Sequence, residues 1–157
     1  MLSRMVSWHE VEKAEPEFAA KVRRLFDAGK HKTLATLRAD GSPRISGIEV
    51  EFGDDGELRF GSMPGARKGA DLRRDPRFAL HSATFDPPDD HAQWPGEAKV
   101  AGRAHVEKPL DGADGPEGEL FRADLDEVVF TGLNAAASLL VVEFWRPGTG
   151  LRRVERA

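Results

Sequence analysis

Apolar side chains recur every three or four positions near the start of the chain and every second position over most of its remaining length. In "SWHEVEKAEPEFAAKVRRLFDAGKH" (7–31), Phe18, Val22, Leu25 and Phe26 fall on one helical face. Ser7 and Glu10 are placed as a capping box, Pro16 as a first-turn residue and Gly29 as a stop. The spacing predicts a helical segment within residues 1–31, packed on the remainder. From Lys32 the period drops to two. "KTLATLRA", the turn Asp40-Gly41 and "SPRISGIEVEF" predict a hairpin, and "GDDGE" leads into "LRFGS". "RFALHSAT", "EAKVAGRAHVEK", "FRADLDEVVFTGL", "SLLVVEFWRP" and, after "PGTG", "LRRVER" read as further extended segments. Two stretches rich in Pro, Gly and Asp, 85–96 and 108–118, read as surface loops. Seven or eight short strands joined mostly by tight turns predict a mainly β fold, an antiparallel barrel, in one domain over 1–157. There is no βαβ alternation, internal repeat or Gly-x-Gly-x-x-Gly, which disfavours a Rossmann-type nucleotide fold.

Composition narrows the chemistry. With no cysteine, disulfides, thiolate nucleophiles and cysteine-ligated metals are excluded. No apolar run approaches the roughly 20 residues of a membrane span, and no secretory signal is evident, so a cytoplasmic protein away from membranes is expected. A net charge of −4 provides no global attraction for polyanions. Nucleic acid would need a local basic patch with stacking aromatics, and Phe78 is the one aromatic close by on the C-terminal side of the patch, so that partner is not expected. The five histidines show no metal-ligand spacing, and no metal is predicted. No nucleophile–base set can be named either. Reactivity, if present, has to come from a bound cofactor.

The stretch "FGSMPGARKGADLRRDPRF" (60–78) carries the strongest local signal. It reads as a strand end, a Pro-Gly loop and a short helix opened by Arg67 and Lys68. Gly61 and Gly65 permit close backbone approach, Ser62 offers a hydroxyl, and two cations at a helix start suit a phosphate monoester. The competing reading is a solvated basic face formed by Arg67, Lys68, Arg73, Arg74 and Arg77. Arg44 and Ser46 alternate onto one strand face with Ile48, which can line a ligand slot. His81, between apolar neighbours, is a candidate pocket-lining or hydrogen-bonded histidine.

The order of these segments, with "ARK" and "LRRDPRFAL" after "LRFGS", resembles the flavin-binding split β-barrels related to pyridoxamine 5′-phosphate oxidase, including their deazaflavin-dependent relatives. "VEFWRPGTGLRRVER" is similar to the C-terminal segment of the oxidases. The resemblance implies a Greek-key split barrel and a homodimer with two flavins in clefts between subunits. By position, Arg44, Ile45, Ser46, Gly47 and Ile48 would run along the isoalloxazine and ribityl chain. Gly61, Ser62, Arg67 and Lys68 would hold the phosphate, with His81 nearby, while Trp145 and Arg156 would come from the partner chain. Two departures concern the substrate side, where Glu49 and Arg152 are expected. Glu49 stands where the oxidases place a Lys for the substrate phosphate, and "RRV" (152–154) lacks their His. A carboxylate about 4 Å from one phosphate charge is repelled by at least about 1 kcal/mol even in water. The expectation is an FMN-dependent oxidoreductase acting by hydride transfer on a small molecule other than pyridoxamine 5′-phosphate. One alternative is a deazaflavin (F-420) reductase, with Arg73, Arg74 and Arg77 lining a channel for the coenzyme's acidic tail. Another is a non-catalytic flavin or tetrapyrrole binder.

Overall fold

A proline divides the N-terminal helical pattern in two. The computed structural model describes residues 4–157 and has α1 (Trp8–Ala14) and α2 (Pro16–Asp27) where the apolar spacing alone suggests continuity. Pro16 disfavours helical geometry in the residue before it, and Glu15 leaves the helical region with φ −141° and ψ 75°. Ser7 caps α1, its hydroxyl accepting from the Glu10 amide at 3.3 Å. Trp8 and Val11 of α1 are buried, as are Phe18, Val22, Leu25 and Phe26 of α2. The ring of Phe52, on the barrel, lies 4.9 Å from Trp8 and 5.7 Å from Phe26, centroid to centroid. That aromatic contact docks the helices.

The strands are β1 (Lys32–Leu37), β2 (Pro43–Ile48), β3 (Val50–Phe52), β4 (Leu58–Ser62), β5 (Arg77–His81), β6 (Glu97–Asp111), β7 (Glu117–Leu133), β8 (Leu140–Arg146) and β9 (Gly150–Arg156), with α3 (Arg67–Arg74) between β4 and β5. All pairings are antiparallel, in the order β2-β1-β5-β6-β7-β4-β3. Because β2 and β3 are successive halves of one extended segment bent at Glu49, the sheet returns on itself through the chain. No ladder joins β2 to β3 or β4 among the described residues. The result is an antiparallel split β-barrel. The 17-residue β7 serves two neighbours along one edge: Glu119–Ala123 pair with β4, and Val128–Leu133 with β8. Strand β8 therefore lies inside the sheet, and β9 is the edge.

The stretch 108–118, expected as a loop, is mostly ladder. Leu110 pairs with Gly118 and Asp111 with Glu117, leaving only residues 112–116 as the turn. Pro109 is tolerated because β6 has a single neighbour there, so its missing donor breaks no second ladder. The stretch 85–96 does run without strand, and is pinned where the Trp94 Nε1 donates to the Phe85 carbonyl at 3.1 Å. A bulge after Ala101 brings the backbone of Gly102 against the Asp124 carbonyl, a contact that a side chain would obstruct. Within the barrel, Phe60 lies 6.0 Å from Phe78 and 5.9 Å from Phe121, among buried Leu34, Leu58, Leu80, Val100 and Leu125. Burial of each such side chain contributes about 1.5–3 kcal/mol. Among the described residues no helix is long and apolar enough to cross a membrane.

Candidate functional site

Strand β4 ends at Ser62, which is buried, and the chain turns through Gly65, whose φ of 72° suits a residue without a side chain. Ala66 then opens α3 without any side-chain cap, so the first amides of the helix are not satisfied by a capping side chain. Gly69 faces the Ser62 hydroxyl, and a Cβ there would stand 2.7 Å from the oxygen. The glycine lets the helix start lie directly on the strand end.

The basic residues of this segment divide into two groups. Arg73 pairs with Glu119, Arg74 with Asp71 at 3.1 Å and Arg77 with Asp75 at 2.7 Å. Arg67 and Lys68 have no carboxylate partner among the described residues. Arg67, Arg73, Arg74 and Arg77 are all exposed, as a solvated face requires, but within that face ion pairing sets Arg67 and Lys68 apart. Behind them Asp71, 3% exposed, accepts from Thr36 Oγ1 and from Arg44 Nε, each at 2.7 Å, and from Arg74 at 3.1 Å. Burial pushes this carboxyl up, but the three donors outweigh it and hold it below the ordinary 3.8.

In front of the helix start lies a groove of about 510 Å³. One side is Gly47, Ile48 and Glu49, where β2 bends into β3, with His31 beside them. Opposite are Gly61, Ser62, Met63 and Lys68. The third wall is the β6–β7 hairpin, through Leu110, Pro116 and Glu117. Glu49 is largely exposed, 3.6 Å from Lys30.

Six of the expected residues meet here: Gly47, Ile48, Glu49, Gly61, Ser62 and Lys68. Arg67 is the exposed first residue of α3, next to Lys68. Arg44 and Ser46 point to the same side of β2 as Ile48 but do not line the groove, Arg44 being engaged by Asp71. Ile45 points the other way and is 74% exposed. His81 lies outside the groove, its Nδ1 donating to the Ser82 carbonyl at 2.7 Å and its Nε2 lying 3.6 Å from Glu97. Trp145 is packed in this chain's own core, while Arg152 and Arg156 are exposed on β9, away from the groove. Sequence reasoning missed His31, Met63, Leu110, Pro116 and Glu117. Only His31 had a usable signal, since it precedes the residue of β1 that pairs with Ile48.

The sequence profile of the pyridoxamine 5′-phosphate oxidase family matches residues 18–129. The chain belongs to this family. Among solved structures, this family member resembles a pyridoxamine 5′-phosphate oxidase-related, FMN binding protein from Nostoc punctiforme, 13% identical over 92% of this chain and 95% of that one, with a TM-score of 0.60. It also resembles PhzG from Burkholderia lata, solved with tetrahydrophenazine-1-carboxylic acid, 15% identical over 94% and 92%, TM-score 0.63. A heme binding protein from Mycobacterium smegmatis is 13% identical over 88% and 87%, TM-score 0.52. No curated protein sequence matches the chain.

Proposed function

We propose that the groove binds FMN and that the protein is a flavin-dependent oxidoreductase. The observation that carries this reading is the pair Arg67 and Lys68, without carboxylate partners at a helix start that abuts Ser62 and opens on the groove. The fit is favourable: ligand sites of this kind run from about 300 to 1,000 Å³, and the groove is about 510 Å³. Lys68, Arg67 and the uncapped amides would hold a phosphate, and Gly47 and Gly61 leave room for a flat ring system to approach the backbone. FMN, when bound, supplies hydride chemistry. The protein's residues bind and orient; Glu117 brings a carboxylate to the remaining wall, where Glu49 stands 3.6 Å from Lys30. That wall favours a neutral or cationic organic substrate. The long-tailed deazaflavin would need Arg73, Arg74 and Arg77 free, and each is paired, which favours FMN.

The test compares FMN with riboflavin, which lacks the phosphate. Removing both charges in an Arg67→Ala, Lys68→Ala variant is expected to weaken FMN by at least about tenfold, at roughly 1.5–3 kcal/mol per charge-assisted contact, and to leave riboflavin nearly unaffected. Equal affinities before and after would reject the phosphate site. A tetrapyrrole is the second reading, because His31 lines the same groove and one fold relative is a heme binding protein. The absorbance of the copurified ligand separates the two, and a Soret band in place of flavin absorption would overturn FMN.

A further inference from the structure

Helix α3 is held mainly by polar contacts. Of its eight residues only Gly69, Asp71 and Leu72 are buried, and Leu72 is the one large apolar side chain among them. Eight residues are well below the roughly 12–15 at which a helix begins to persist alone in water, so tertiary contacts must fix it. Four side-chain bonds tie it to other elements: Asp71 to Thr36 on β1, Asp71 to Arg44 on β2, Arg74 to the Leu37 carbonyl at 2.8 Å, and Arg73 to Glu119 on β7. Asp71 makes the first two and also accepts from Arg74, the donor of the third. Lys68 and Arg67 stand three and four residues before Asp71, and such residues share a helix face.

We propose that Asp71 is the positioning residue of the anion site. Through Thr36 and Arg44 it fixes α3 against β1 and β2, and so decides where Lys68, Arg67 and the first amides of α3 stand against Ser62. Arg44 belongs to the site by this route, since it does not line the groove. The proposal rests on the phosphate-binding reading of that groove, but its mechanical part is independent of any ligand.

Asp71→Asn keeps the shape of the side chain and removes the charge that holds Arg44. The expected result is FMN affinity lowered by at least about tenfold with riboflavin affinity changed less than about twofold, so that the preference for the phosphorylated ligand collapses. Without ligand, hydrogen exchange of the α3 amides should accelerate while that of β5 and β7 stays at the wild-type rate. Asp71→Glu should restore part of the preference. Equal losses for FMN and riboflavin, or unchanged exchange in α3, would overturn the proposal. If Asp71→Asn does not fold, Thr36→Val removes a single donor and should produce the same selective pattern at smaller size; failure to do so would overturn it too. Should the wild-type protein not prefer FMN over riboflavin, the flavin reading falls, and the exchange of α3 in Asp71→Asn then decides the role of Asp71 by itself.

Discussion

Asp71 is the one carboxylate of α3, and its neighbours in sequence say nothing of Thr36 and Arg44, which lie 35 and 27 positions away. Its place can be tested by acid. The folded carboxyl is held below the ordinary 3.8, so the unfolded chain binds the proton more tightly. The stabilisation from Asp71 is thus complete above the ordinary value and is lost as pH falls through the lower, folded value. The wild-type melting temperature is expected to exceed that of Asp71→Asn by a margin that shrinks as pH falls below the ordinary 3.8. A margin that stayed constant or widened with acid would contradict the assignment. Among single residues the sequence was informative where function is local. Gly61, Ser62 and Lys68 lie within one short stretch and meet in the groove, whereas His31, Leu110 and Glu117 arrive by topology. Arg44 and Ser46 were legible as facing one way, but the helix that covers that side of the strand was not.

The elements were legible where periodicity is long and ambiguous where turn-forming residues sit inside a ladder. Strands β1, β2, β4 and β5 fall where alternation places them. The helical segment divides at Glu15 because one proline outweighs the apolar spacing on either side. The 108–118 stretch differs from expectation because its glycines and prolines signal a turn, and the pairing of Leu110 with Gly118 depends on a partner strand that composition cannot reveal. That hairpin matters for the substrate. It brings Glu117 to the groove that Glu49 enters from the β2–β3 bend, and neither is a group that welcomes a second phosphate. FMN-loaded protein is expected to oxidise pyridoxamine 5′-phosphate at less than about 0.1 per second, below the usual enzyme range. Oxygen consumption measures this directly, and a faster rate would mean that the two carboxylates do not face the substrate.

For the whole molecule, the antiparallel class could be anticipated, but the number of strands, nine among the described residues where seven or eight were expected, and their order could not, because both are set by pairings far apart in sequence. The family resemblance implies a homodimer, but the apolar strand β8 is flanked on both sides and offers no free edge for one. The outward face offers a different reason: Ile45, Ala35, Ala79 and Ala101 align across β2, β1, β5 and β6, and Ile45 is 74% exposed. We propose that a second copy covers this row and brings its own β9 arginines, Arg152 and Arg156, towards the groove. Light scattering is expected to return twice 17.2 kDa, and Ile45→Lys to shift the protein towards that single mass while weakening FMN. A wild-type protein that stayed at the single mass at micromolar concentration would exclude the arrangement.

The bend at Glu49 closes the barrel through a peptide bond instead of a row of hydrogen bonds. The gap in the ring and the mouth of the groove are the same place, with Gly47, Ile48 and Glu49 on one lip and Gly61, Ser62 and Lys68 on the other. A substitution on the first lip therefore changes two things together: the wall presented to a substrate, and the width at which the cylinder stands ajar. In this protein, selectivity and barrel shape share one seam and cannot be adjusted independently.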